Sequence, residues 1–146
     1  MGSIVNAVSN SFLVKKARGW NRIYYFFDIH GTIIRPNYKV NDVPTEFYPH
    51  AIETLQFLSN REDICMILYT CSHPHEIEQY QRMFKEHNIN FEYVNENPEV
   101  VTKPNEYGCY DKKPYMNVLF EDKAGFDGDT DWLLVLQYLK VVYGTN

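Results

Sequence analysis

Hydrophobic positions fall along this chain in bursts of two kinds. Residues Ile23 to Phe27 and Ile64 to Tyr69 are unbroken aromatic and aliphatic runs, and continuous apolar character of that length predicts strands buried on both faces. Val118 to Phe120 is a shorter run of the same kind, and Phe91 to Val94, interrupted by Glu92, reads as a short third strand. Between the runs, apolar residues recur at helical spacing. Pro49 suits a first helical turn, and Ala51, Ile52, Leu55 and Leu58 continue it as one stripe. Ser72 and Pro74 supply start chemistry for a second helix carrying Ile77, Tyr80, Phe84 and His87. Thr130 can cap a third, in which Leu133, Leu136 and Tyr143 face inward and which Gly144 closes. Residues 32–48 hold Pro36, Asn37, Asn41, Asp42 and Pro44, which predict turns and at most a short hairpin. Residues 95–113 are rich in Asn, Pro, Glu and Gly and too long for an ordinary connection, which marks a functional or partly structured loop.

The resulting order, β-α-β-α-β-β-α, predicts an α/β protein: a three-layer, Rossmann-like fold with a mostly parallel sheet and helices on both faces. Residues 1–22 read as a basic N-terminal extension and 23–146 as a single domain. Ile4, Val8 and Phe12 recur every four residues, so the extension is expected to be an amphipathic helix. Packing on the body is the expectation, ahead of a second subunit or a membrane surface.

A chain of 146 residues, 45% hydrophobic and 16% aromatic, is one domain with enough apolar mass for a core. No stretch approaches the roughly 18 uninterrupted apolar residues of a membrane span, and the lead segment lacks the apolar centre of a secretory signal. Three cysteines without a CxxC pair argue against a disulfide scaffold or a zinc knuckle and point to a reducing, cytoplasmic home. The net charge is −5, but residues 1–22 hold four cations and no acid, which leaves −9 on the rest. So acidic a body is a poor nonspecific nucleic-acid binder. The twelve tyrosines are read as core and half-buried surface, since a base-stacking platform would want interleaved basic residues that the body lacks.

In parallel sheets, ligands bind outside the carboxyl ends of the strands. Three of the four predicted strands end in a reactive group: Asp28, Thr70 and the pair Glu121–Asp122. A strand-end carboxylate, followed by Gly31 to allow a sharp turn, can meet a phosphorus atom in line and become an acyl phosphate. The transferring group carries negative charge on three oxygens, so its site needs a hydroxyl, a fixed cation and usually a divalent metal. Thr70 supplies the first, Lys113 or Lys112 the second, and Asp28 with Asp122 hold the third. Magnesium fits best, because it favours oxygen ligands and keeps several waters. Cys71 joins Thr70 as a substrate-binding candidate. His73 and His75 flank Pro74 near Cys71, but His-x-His with one Cys is weak zinc chemistry and reads as a solvated loop.

Asp28-Ile29-His30-Gly31-Thr32, Thr70 within Leu-Tyr-Thr-Cys-Ser, Lys113 before Pro114, and Glu121-Asp122 resemble, in that order, the four motifs of the haloacid dehalogenase-like superfamily of phosphohydrolases. The resemblance spans about residues 23–142. Within it, the run from Met66 through Asn97, followed by Lys-Lys-Pro-Tyr and Glu-Asp-Lys-Ala, is similar to small bacterial and phage members that lack a large cap domain. The resemblance implies a magnesium-dependent phosphatase with Asp28 as nucleophile, Thr70 as the phosphate-binding hydroxyl and Lys113 as the charge stabiliser. It implies a metal held by Asp28, the backbone carbonyl of His30 and Asp122, with Glu121 standing where many relatives carry another Asp. Asp127 is implied as a supporting partner behind them.

One position departs from the family. Phosphatases of the superfamily usually carry Asp two residues after the nucleophile, where it protonates the leaving oxygen and then activates water; this chain has His30. Histidine can do general acid–base work, which implies a phosphatase with an altered pH optimum. The other outcome is a phosphate- or metal-binding protein that turns over poorly. The 42-position step from Asp28 to Thr70 already contains a helix, which leaves room for a small flap. An open site of this kind suits a phosphorylated small molecule such as a nucleotide, or a macromolecular phosphoester such as a nucleic-acid end or a phosphoprotein, unless a homo-oligomer or the 95–113 loop covers it.

Overall fold

A computed structural model describes residues 3–40 and 42–144. In chain order the elements are α1 (Ser3–Arg18), β1 (Ile23–Phe27), α2 (Ala51–Ser59), β2 (Ile64–Leu68), α3 (Pro74–Glu86), β3 (Tyr93–Val94), β4 (Val118–Phe120), a one-turn 3-10 helix (Asp122–Ala124) and α4 (Asp131–Val142). The four strands form one sheet in the order β3-β2-β1-β4, and every pair is parallel. The protein is thus α/β with a three-layer, Rossmann-like architecture.

The layers follow from the handedness of parallel crossovers. The steps β1 to β2 and β2 to β3 run in the same direction across the sheet, so right-handed connections put α2 and α3 on one face. The step β3 to β4 reverses direction and crosses on the other face. Its connection, residues 95–117, is irregular chain, in keeping with the long loop expected over 95–113. Ile23, Tyr25 and Phe27 of β1 enter the main core with residues of all four α-helices, while Tyr24 and Phe26 join a smaller cluster under Trp20, Val100, Tyr115 and Met116. Fully buried β1 and β2 account for their continuous apolar runs.

The α1 helix packs into this core. Ile4, Val5 and Val8 of α1 are buried, and Ser11 is hydrogen-bonded to the Tyr25 hydroxyl at 2.8 Å. On α4 the inward residues are Trp132, Val135, Leu136 and Leu139. Leu133, expected to face inward, is 37% exposed, because Trp132 one position earlier takes the core-facing register. The α3 helix starts from His73, whose N–H is capped by Glu76 at 2.9 Å. Between β1 and α2 the chain makes a narrow hairpin, closed by Arg35 N–H to Glu46 C=O and Tyr48 N–H to Ile33 C=O at 2.8 and 2.9 Å. Asn41, one of its expected turn residues, lies outside the described residues. No helix among the described residues is long and apolar enough to cross a membrane.

Candidate active site at the carboxyl edge of the sheet

All four strands deliver a residue to one cleft of about 440 Å3 at their carboxyl ends. It is lined by Asp28 after β1, Tyr69, Thr70 and Cys71 after β2, Asn95 after β3, and Glu121 and Lys123 after β4. Sequence reasoning brought Asp28, Thr70, Cys71 and Glu121 here; Asn95, Tyr69 and Lys123 it did not.

The turn after β1 sets the geometry. The Ile29 carbonyl accepts the N–H groups of Thr32, Ile33 and Ile34, folding the chain back at once. Gly31 makes this turn at φ +82, and a Cβ there would lie 2.5 Å from Asp122 Oδ2. Glycine is therefore required twice, by its backbone and by the carboxylate pressed against it. Thr32, fully buried, accepts the Asp122 N–H on its hydroxyl at 3.1 Å and the Trp132 indole N–H on its carbonyl at 2.8 Å. One threonine so ties the turn, the end of β4 and α4 together.

This scaffold gathers three carboxylates. Asp28, Glu121 and Asp122 each offer an oxygen, and these atoms lie within 4.8 Å of one another. Burial, and after it the negative charges of Asp122 and Glu121, push the Asp28 carboxyl from its usual 3.8 up to about 6, against the Ile29 N–H that favours the ionised form. Glu121 also has a local role: its side chain caps the 3-10 turn by accepting the Lys123 N–H at 3.2 Å.

Thr70 is clamped through its backbone. Asn95, held at φ 58, accepts the Thr70 N–H and donates to the Thr70 carbonyl, both at 2.8 Å. The Thr70 hydroxyl accepts the Ser72 N–H at 3.2 Å and lies 2.9 Å from the Ser72 hydroxyl.

Three sequence expectations change here. Lys113 is exposed and does not line the cleft. It precedes β4, and no helix forms ahead of that strand to carry it to the carboxyl edge; Lys123, just past β4, takes its place. Lys112 lines a different depression, with Asn95, Tyr110 and Pro114. The His30 ring is likewise outside the cleft lining: its Nε2 is 2.6 Å from the Tyr80 hydroxyl on α3, and burial holds it below its usual 6.5 despite the opposing charge of Glu76. The His30 carbonyl receives no backbone hydrogen bond from the described residues. Asp127 serves its own turn, accepting the Asp129 N–H at 3.0 Å. His73 and His75 stack on each other, 5.8 Å between ring centres, and are exposed.

Two other features compete with this cleft and are accounted for by packing. A cavity of about 480 Å3 lies ahead of β1, lined in part by Trp20, Arg22, Tyr24, Glu99 and Tyr107. Cys65, Glu92 and Glu99 form a second group with ligand atoms within 4.8 Å. The two share one network: Arg22 pairs with Glu92 and with Glu99, and Glu99 also accepts from Tyr24 and Tyr93. Burial raises the Cys65 thiol, which stays protonated. This network fastens the 95–117 connection to the sheet.

No protein-family model matches the chain, and no curated protein matches it. Among solved structures, it is similar to a conserved protein from Bacteroides thetaiotaomicron, at 21% identity and a TM-score of 0.59, covering 86% of this chain and 94% of that one. At that identity the likeness shows the fold alone.

Proposed function

We propose that the protein is a magnesium-dependent phosphoester hydrolase that works through a phosphorylated Asp28, in the manner of the haloacid dehalogenase-like superfamily its motifs resemble. The observation that carries the reading is the convergence of Asp28, Glu121 and Asp122 at the carboxyl edge, with Thr70 and Lys123 lining the same cleft as Asp28 and Glu121. A cation would relieve the crowding of three carboxylates, one of them raised to about 6 by burial and by the other two. Their oxygen-only donor set, joined in this reading by the His30 carbonyl as the resemblance implies, fits magnesium. When bound, the metal supplies charge neutralisation for the phosphoryl group.

In this reading an Asp28 oxygen attacks phosphorus, forming one P–O bond as the bond to the leaving oxygen breaks. The leaving oxygen keeps the bonding electron pair and takes its proton from solvent. Lys123 offsets the charge spreading over the phosphoryl oxygens, and the Thr70 hydroxyl orients one of them. Attack of water on phosphorus then releases phosphate and restores the carboxylate.

A specific observation favours a second reading. The His30 imidazole is hydrogen-bonded to Tyr80 and does not line the cleft, so it does not serve the leaving group as an acid. A protein that binds metal and phosphate, or becomes phosphorylated, with little turnover follows from that.

Release of inorganic phosphate from acetyl phosphate separates the two, since this compound needs no acid to depart. Magnesium-dependent, multiple-turnover release by the wild type, lost in Asp28→Asn, supports the hydrolase. No release between about pH 5 and 8, where histidine titrates, opposes it. His30→Asp is expected to raise turnover of an alkyl phosphate about a hundredfold, the low end of what a positioned acid contributes.

A further inference from the structure

Tyr69 and Asp28 are cross-strand neighbours. Phe27 is paired with Leu68 in the β1–β2 ladder, and the Tyr69 N–H extends that ladder to the Phe27 carbonyl at 2.8 Å. The next pair along is therefore Asp28 and Tyr69, on strands about 4.8 Å apart. Alternation sends both side chains to the face opposite the helices, with Phe26 and Ile67. The Tyr69 ring meets Phe26 edge to face, 5.6 Å between centres, which fixes it. It nonetheless stays 38% exposed and lines the cleft. A large aromatic side chain left open beside a candidate nucleophile, one register step away, has no packing role that requires its exposure.

The cleft, at about 440 Å3, has room for more than a phosphoryl group. Its chemistry narrows what else enters. With His30 hydrogen-bonded to Tyr80 and outside the cleft lining, a leaving oxygen departs without the acid that the resembled family places at that position. A phenolic oxygen, whose usual pKa is near 10, does so far more readily than an alkoxide. A planar ring attached directly to the phosphate oxygen would lie within reach of a ring adjacent to the nucleophile.

Building on the hydrolase reading, we propose that the substrate is an aryl phosphate whose ring packs against Tyr69, making Tyr69 the specificity-determining residue of the cleft. The phosphate is held as above, the P–O bond to the aromatic ring's oxygen breaks, and the phenolate leaves with the electron pair and is protonated by solvent.

The test compares kcat/KM for phenyl phosphate and for acetyl phosphate, a reactive phosphate without a ring, in the wild type, Tyr69→Phe and Tyr69→Ala. An aromatic contact predicts that Tyr69→Ala lowers the phenyl-to-acetyl ratio about three- to tenfold, mostly through KM, while Tyr69→Phe keeps the wild-type ratio. If Tyr69→Ala does not fold by circular dichroism, Tyr69→Leu replaces it, with the same expectation. Turnover of acetyl phosphate with a ratio unmoved by the loss of the ring overturns this inference and leaves the hydrolase standing. No release from either compound overturns both.

Discussion

Gly31 and Asp122 are in contact across 91 positions of chain: the place of a Gly31 side chain is filled by the Asp122 carboxylate, 2.5 Å from where a Cβ would sit. The turn after β1 and the end of β4 are thus built against each other, and the site depends on their fit. Gly31→Ala is expected to cost more than about 1 kcal/mol, from its left-handed backbone and from displacing the carboxylate. Chemical denaturation measures the first effect and magnesium titration calorimetry the second. A variant as stable as the wild type, with unchanged magnesium affinity, would break the link.

Charge crowding makes the site a stability cost in the absence of metal. The Asp28 carboxyl is raised to about 6 by burial and by its acidic neighbours, so the folded state binds its proton more tightly than the unfolded chain, where the usual value is near 4. Metal-free protein should therefore gain stability as pH falls from about 7 through 6 toward 4. Asp28→Asn removes this dependence and should be more stable than the wild type at pH 8, with the difference shrinking at pH 5. Urea midpoints in chelator at the two pH values measure it. An Asn variant less stable at pH 8 would contradict the crowding argument.

Asn95 holds Thr70 by both backbone groups. Replacing it with Ala should destabilise the protein by about 1 kcal/mol and weaken inorganic phosphate binding in the presence of magnesium, followed by calorimetry. Unchanged phosphate affinity would show that the Thr70 segment keeps its shape unaided.

Lys123, past β4, lines the cleft, and Lys113, ahead of it, does not. Lys123→Ala should lower kcat/KM for acetyl phosphate by about tenfold or more, the scale of a lost electrostatic stabiliser. Lys113→Ala should stay within about twofold of the wild type. The reverse pattern would return the cation's role to the residue suggested by motif order.

The strands and their carboxyl ends were legible because burial on both faces writes itself as continuous apolar runs, which stop at Asp28, Thr70 and Glu121. What joins residues far apart in the chain was not. Nothing local in His30 announces Tyr80, fifty positions on, and nothing in Asn95 announces Thr70. Thr32 resembled a motif letter; its role as the hub between Asp122 and Trp132 appears when β4 and α4 are in place. Lys113 was misplaced because motif order was read as position, while the cation that lines the cleft is set by which side of β4 a residue falls on. On α4, Leu133 fits an inward spacing as well as Trp132 does, and the larger ring takes the core.

The central claim is that Asp28 accepts a phosphoryl group. Acid quenching of the wild type with magnesium and acetyl phosphate, followed by peptide mass spectrometry, tests it directly. The account predicts one added phosphoryl group on the peptide carrying Asp28, absent without magnesium and absent in Asp28→Asn. A phosphoryl group on another residue, or phosphate release that survives in Asp28→Asn, would contradict it.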